Sequence, residues 1–200
     1  MHIKMNVYAY KDIVKVCGGV VDPKDDRIPA AIQLKFEGYS CKACACSSFT
    51  AAGIGVNIDA DAPLDPLSFW IPVVKTPAGT KLVEFIAGDG EQPTMVFSDS
   101  DGDVLKSVDI QPVDTAVDAG NILESSAKKT MSRGNGDGVY SIVVNPALLI
   151  QVLEGVKQSE QVTLTFGAVT DPIVITPSGD HAPVSALGIV LPKRWFPKST

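Results

Sequence analysis

The residues that most constrain this chain run from Val139 to Arg194, where the spacing of apolar side chains switches from alternate to helical and back to alternate. Tyr140 to Val144 is a short strand-forming run. Asn145 and Pro146 then end it and place a proline at the opening of a helix, where its missing N–H costs nothing. Leu148, Leu149, Val152, Leu153 and Val156 recur at helical spacing and form one apolar stripe, with Gln151, Glu154 and Lys157 towards the other side. After Ser159 and Glu160, Gln161 to Phe166 alternates so that Val162, Leu164 and Phe166 share a face; Ile173 to Ile175 and Val184 to Leu191 read as two further strands. The segment predicts one amphipathic helix on one side of an antiparallel sheet.

The same order occurs earlier in the chain. Ile3 to Tyr8 predicts a strand and Lys11 to Val21 a helix buried through Ile13, Val14, Cys17 and Val20 or Val21, followed by strands at Ala31 to Phe36, Tyr39 to Cys46 and Gly53 to Ile58. In the middle, Phe69 to Val74 reads as a strand, Pro77 to Ala87 as a helix with Leu82, Val83 and Ile86 inward, and Thr94 to Ser98 and Val104 to Ile110 as two more strands. This middle copy is the poorest. Gly79 falls inside its helix, at a cost of roughly 1 kcal/mol, and no third strand is evident. The fold class is α+β, built from repeated strand–helix–strands units with antiparallel sheets and helices on one face. Residues 1–112 are expected to hold two units, 113–138 a linker or insertion, and 139–200 a further unit with a tail.

Units of this kind closing on Ile189, Val190, Leu191, Pro192, Lys193 and Arg194 resemble the bacterial DNA polymerase III β subunit, or sliding clamp, family, whose last strand ends in a hydrophobic, proline, basic pattern. The resemblance extends to the run AYKDIVKVCGGVVDPKDDRIPAAIQLKFEG, similar to the family's first helix and its arginine–proline passage into a strand, and to FWIPVVKTPAGTKLVEFIAG, similar to a second half-unit. Residues 113–138 match nothing in it. Where the family carries Asp-Gly-His-Arg, this chain reads Ser47, Ser48, Phe49 and Thr50.

The resemblance implies a non-enzymatic scaffold that encircles duplex DNA without reading its sequence, works as a homo-oligomer and binds short peptides of polymerases. It would place Lys11 and Lys15 of the first helix, Lys81 of the middle helix and Lys157 of the last on a DNA-facing wall. The net charge of -6 argues against coating nucleic acid through an overall field, but loose phosphate contacts by a few lysines suit a ring. The ordinary reading of such lysines is a solvated helix face. The family's peptide pocket beside the final strand, carried onto this chain, would be lined by Ile189 and Leu191 with Pro192 at its rim. A strand presenting Leu187, Ile189 and Leu191 on one face is also what any sheet core requires. The alternative function is a structural or assembly protein, of phage or mobile-element origin, that has the fold but binds neither DNA nor clamp peptides.

Other motifs point away from chemistry. Cys41 and Cys44 have a zinc-ligand spacing, yet on an extended strand Cys44 and Cys46 face one way and Cys41 the other, which favours reduced cysteines filling a sheet. Asp99, Asp101 and Asp103 lack the glycine and glutamate of a calcium loop, and Asp101-Gly102 is a hairpin turn signal. Gly134, Gly136 and Gly138 precede a strand rather than a helix and read as a connection, not a phosphate loop. His2 and His181 are expected in exposed positions, with no nucleophile arranged around either. No cofactor or metal is expected. No apolar run approaches the roughly 20 residues of a membrane span, and the first residues lack a signal peptide's apolar block, so a cytoplasmic location without membrane contact is expected.

Overall fold

In the computed structural model, residues 2–88, 91, 93–110, 113, 115–132, 142–168, 170–183 and 185–192 are described. β1 (His2–Asn6) runs directly into α1 (Val7–Gly18), whose N-terminus is capped by the Asn6 side chain accepting from Tyr8 N–H at 2.8 Å. β2 (Ile32–Gly38), β3 (Ser40–Cys46) and β4 (Thr50–Asn57) follow as an antiparallel meander, the first turn made by Gly38 at φ +60°. Next come β5 (Leu64–Ile71), β6 (Leu82–Ile86), β7 (Thr94–Ser98) and β8 (Val104–Asp109). Two helices, α2 (Ala119–Ser132) and α3 (Pro146–Gly155), precede β9 (Gln161–Thr165), β10 (Ile173–Ser178) and β11 (Leu187–Val190).

The strands form two sheets that exchange their first strands. β1 leaves its own meander to pair with β6 in a four-stranded sheet of order β1-β6-β7-β8, while β5 pairs with β2 in a seven-stranded sheet of order β5-β2-β3-β4-β11-β10-β9. β4 and β11 are hydrogen-bonded from Gly53↔Leu187 to Thr50↔Val190, so one sheet is continuous across the early and late parts of the chain. The inner faces of both sheets meet over one core. Phe36 and Phe69 stack with centroids 5.3 Å apart, and Phe85 of the other sheet lies 5.8 and 5.5 Å from them. Tyr10 of α1 joins this core edge-on to Phe97 at 5.3 Å, its buried hydroxyl donating to Val74 O at 3.2 Å.

Most predicted elements are present within a few residues of their expected bounds, the middle helix excepted. Residues 72–81 carry no helix, and Leu82–Ile86 is β6. Pro77 and Gly79, the latter at φ +86°, break any helix there, and Val83 and Phe85 alternate into the core while Ile86 is 41% exposed. The strand that the middle unit lacked is therefore the segment read as its helix. The expected strand at Tyr140 to Val144 lies partly outside the described residues, and 142–145 carry no strand. Asn145 and Pro146 do open α3, with the Asn145 side chain accepting from Ala147 N–H at 3.0 Å. Asp101-Gly102 forms the β7–β8 turn, with Gly102 at φ +88° and Asp99 accepting from the N–H groups of Asp101 and Asp103.

The segment 113–138 contains α2, where no element was expected. Nor do all helices share one face. α1 and α3 pack with Cys41, Ala43, Ala45 and Ala52 on the inner side of the seven-stranded sheet, whereas α2 packs with Cys44, Cys46, Ala51, Val174 and Ile189 on its outer side.

Candidate functional site

α1 and α3 lie side by side on the inner face of the large sheet, joined where small residues allow it. Gly155 of α3 rests on the backbone of Val16, and Gly188 of β11 leaves the space that Val152 fills. Polar side chains tie the same seam: Gln151 donates to Gly19 O, and Lys15 donates to Gln158. Of the four candidate lysines, two lie on α1 and a third just past the end of α3. Lys11 stands 5.7 Å from the ring centre of exposed Tyr8, Lys15 reaches Gln158, and Lys157 follows α3 in an ion pair with Glu154 at 2.6 Å. Lys81 is not among them. It precedes β6, where its N–H donates to Ser98 O at 2.8 Å and its carbonyl accepts from Val7 N–H at 3.3 Å, so its placement on a middle helix is corrected. Asp12 and Glu154 offset part of the positive charge, and Ile150 leaves an apolar side chain 57% exposed on α3.

At the final strand, the three expected pocket residues have different surroundings. Ile189 is 3% exposed and belongs to the outer cluster beneath α2. Leu191 lies just past β11, 37% exposed, its N–H donating to the carbonyl of exposed Phe49 at 2.9 Å; Pro192 beside it is half-buried. Lys193 to Thr200, with the basic pair and the aromatics Trp195 and Phe196, lie outside the described residues.

The outer face under α2 is paved with small side chains, and this allows the helix to approach closely. Gly53 faces Leu123: a Cβ at Gly53 would stand 2.7 Å from Leu123 Cδ2 and 2.9 Å from Cys44 Sγ. Ion pairs fasten both ends. Lys35 Nζ reaches the two Asp118 oxygens at 2.7 and 2.6 Å, Lys42 pairs with Glu124, and Lys129 approaches buried Asp171 at 3.8 Å. Asp118 also accepts from Asn121 N–H at 2.9 Å as the helix cap, and the Lys35 hydrogen bond is the main cause that holds its carboxyl below the usual range. Along the flank of α2 run two cavities of about 350 and 500 Å³ that meet at Glu124 and Leu187. Sequence reasoning missed this surface. The signal was Asp118 followed by Ala119, Leu123 and Ala127 at four-residue spacing, a stripe with a single large side chain.

The four cysteines are reduced and buried, Cys41 on the inner face and Cys44 and Cys46 on the outer, as the strand alternation predicts. Burial pushes the Cys44 thiol up to about 12 and that of Cys46 to about 11. His2 is half-exposed and shares a 2.8 Å contact with Glu84; His181 is exposed.

No protein-family model and no curated sequence matches the chain. Solved structures do. The chain superposes on the DNA polymerase III β subunit of Thermotoga maritima with a TM-score of 0.71 at 14% identity, over 98% of this chain and 66% of that one. The fold is that of the DNA polymerase III β chain. The β chain of Streptococcus pneumoniae gives 0.69 at 14% identity over 98% and 65%, and a putative β subunit of Eubacterium rectale 0.63 at 11% over 96% and 65%. This chain thus spans just under two thirds of the length of the β chains it matches. No helix among the described residues is long and apolar enough to cross a membrane.

Proposed function

We propose that this chain is a non-enzymatic scaffold of the sliding-clamp type, which binds partner peptides and, as a homo-oligomer, surrounds duplex DNA without sequence preference. The observation that carries the proposal is the glycine-tight pairing of α1 and α3 on the inner face of a continuous sheet, with Lys11 and Lys15 on α1 and Lys157 two residues past α3. Lysines spaced along helix surfaces give weak, sliding phosphate contacts, which an acidic chain tolerates when the contact face is local.

Closure by repetition is favoured by two open sheet edges. β8 ends the small sheet with Val104 63% and Leu105 41% exposed, and β9 ends the large one with Val162, Leu164 and Phe166 each more than a third exposed. Unpaired apolar edges are templates for strand addition, and two different edges on one chain suit head-to-tail assembly. The peptide seat expected from the final strand is kept at its exposed end, Leu191 and Pro192, with Ile189 beneath.

The second reading, an assembly protein with this fold and no DNA in its centre, is favoured by Ile150, an apolar side chain on the would-be DNA face. Mass in solution, retention on closed circular versus linear DNA, and anisotropy with a labelled clamp-motif peptide separate the two. A ring retained on circles and lost from linear ends supports the clamp. A monomer that binds neither circle nor peptide overturns it.

A further inference from the structure

We infer that Tyr8, flanked by Lys11 and Lys75, is a stacking platform for an unpaired base of single-stranded DNA, a contact that deepens the clamp reading above and rests on its DNA-facing placement of α1. Tyr8 stands in the first turn of α1 with 68% of its surface exposed, more than any other large hydrophobic side chain among the described residues. Its backbone is held in place, because its N–H donates to the capping Asn6 side chain at 2.8 Å. Lys11, three residues on, brings Nζ to 5.7 Å from the centre of the Tyr8 ring. The ring is therefore presented to solvent with a cation at its side.

The segment 72–81, which stands where a middle helix was expected, supplies a second cation. It runs antiparallel along α1: Val73 Cγ1 lies 3.2 Å from where a Cβ on Gly18 would stand, Val74 O accepts from the Tyr10 hydroxyl at 3.2 Å, and Lys81 O accepts from Val7 N–H at 3.3 Å. Lys75 follows Val74 directly and is exposed. Lys11, Val14 and Gly18 recur at helical spacing, so Lys11 belongs to the stripe of α1 that borders this segment. Lys11 and Lys75 thus share one edge of α1, and partly exposed Asp12 lies towards the other.

This combination selects the occupant. Duplex DNA keeps its base faces stacked inside, so lysines alone would serve its phosphates and the Tyr8 ring would meet nothing. A single strand offers both partners, a base face for the ring and neighbouring phosphates for the two lysines. Asp12, four residues after Tyr8, repels a phosphate placed over the ring and leaves the ring to a base. The platform gives the chain a hold on unpaired strand next to the duplex it surrounds.

The test uses the full chain and fluorescence anisotropy with three labelled DNAs of one length: oligo-dT, an abasic strand with the same phosphates, and a duplex. The unaltered chain is expected to bind oligo-dT about tenfold more tightly than the abasic strand. Tyr8→Ala should abolish that preference and leave abasic and duplex affinities unchanged, whereas Tyr8→Phe should keep it. Lys75→Ala should weaken oligo-dT and the abasic strand alike and reduce the slope of log affinity against log salt by about 0.7 on both. Equal affinity of the unaltered chain for oligo-dT and the abasic strand, or a preference that survives in Tyr8→Ala, overturns the platform; duplex binding that persists in either case leaves the clamp reading standing. Absence of binding to all three DNAs overturns both.

Discussion

Gly155 meets the backbone of Val16 so closely that a Cβ there would stand 3.0 Å from Val16 Cα and 3.1 Å from the carbonyl oxygens of Lys15 and Val16. Backbone atoms cannot rotate aside, so α1 and α3 would have to separate. Gly155→Ala is expected to strain the seam by about 1–3 kcal/mol, more than the roughly 1 kcal/mol that alanine returns in helix propensity. Urea unfolding checks this, and a more stable variant would show that the two helices are not locked.

Asp25 ties the loop after α1 to the β3–β4 turn. It accepts from the Ser48 hydroxyl, from Ser48 N–H at 2.9 Å, and from Arg27 N–H and Nε at 3.2 and 3.1 Å. These bonds, the Ser48 hydroxyl first, hold its carboxyl from 3.8 down to about 2. A depressed folded value means that the stabilisation is complete above the unfolded value and is lost as pH falls through the folded one. Asp25→Asn should therefore lower the urea midpoint at neutral pH, with the difference from the parent chain shrinking between about pH 4 and about pH 2. A difference that stays constant across that window would count against the latch.

If α1 faces duplex DNA, Lys11 and Lys15 each neutralise about one phosphate. The double variant Lys11→Ala/Lys15→Ala should reduce the slope of log affinity against log salt by about 2, at any DNA sequence. Lys81→Ala should leave the slope unchanged, since Lys81 is held at the start of β6. Equal slopes for all three proteins would remove α1 from the contact.

Cys44 and Cys46 are held as neutral thiols by burial, at about 12 and about 11. The native chain should resist iodoacetamide at pH 8 and be alkylated promptly in urea. Rapid native labelling of Cys44 would mean that α2 lifts from the sheet.

Sequence pattern revealed elements wherever local chemistry and tertiary placement agreed. Asn145-Pro146 announced α3 because capping is local, and Cys41, Cys44 and Cys46 gave their faces because alternation fixes side-chain direction. Leu82, Val83 and Ile86 misled because five residues fit a helical and an alternating pattern equally well; only pairing with β1, some eighty residues earlier in the chain, decides between them. α2 escaped because Ala119, Leu123 and Ala127 make a thin stripe whose burial depends on Gly53 and Ala51 beneath it. Ile189 looked available for a peptide because strand spacing cannot tell whether a face is covered by a helix.

The exchange of β1 and β5 between the sheets makes the two halves mutually dependent. A chain cleaved in the exposed stretch 61–63 would yield two pieces, each holding a strand that completes the other's sheet. Neither piece should fold alone, yet mixed they should reassemble, so this molecule is suited to serve as its own split reporter.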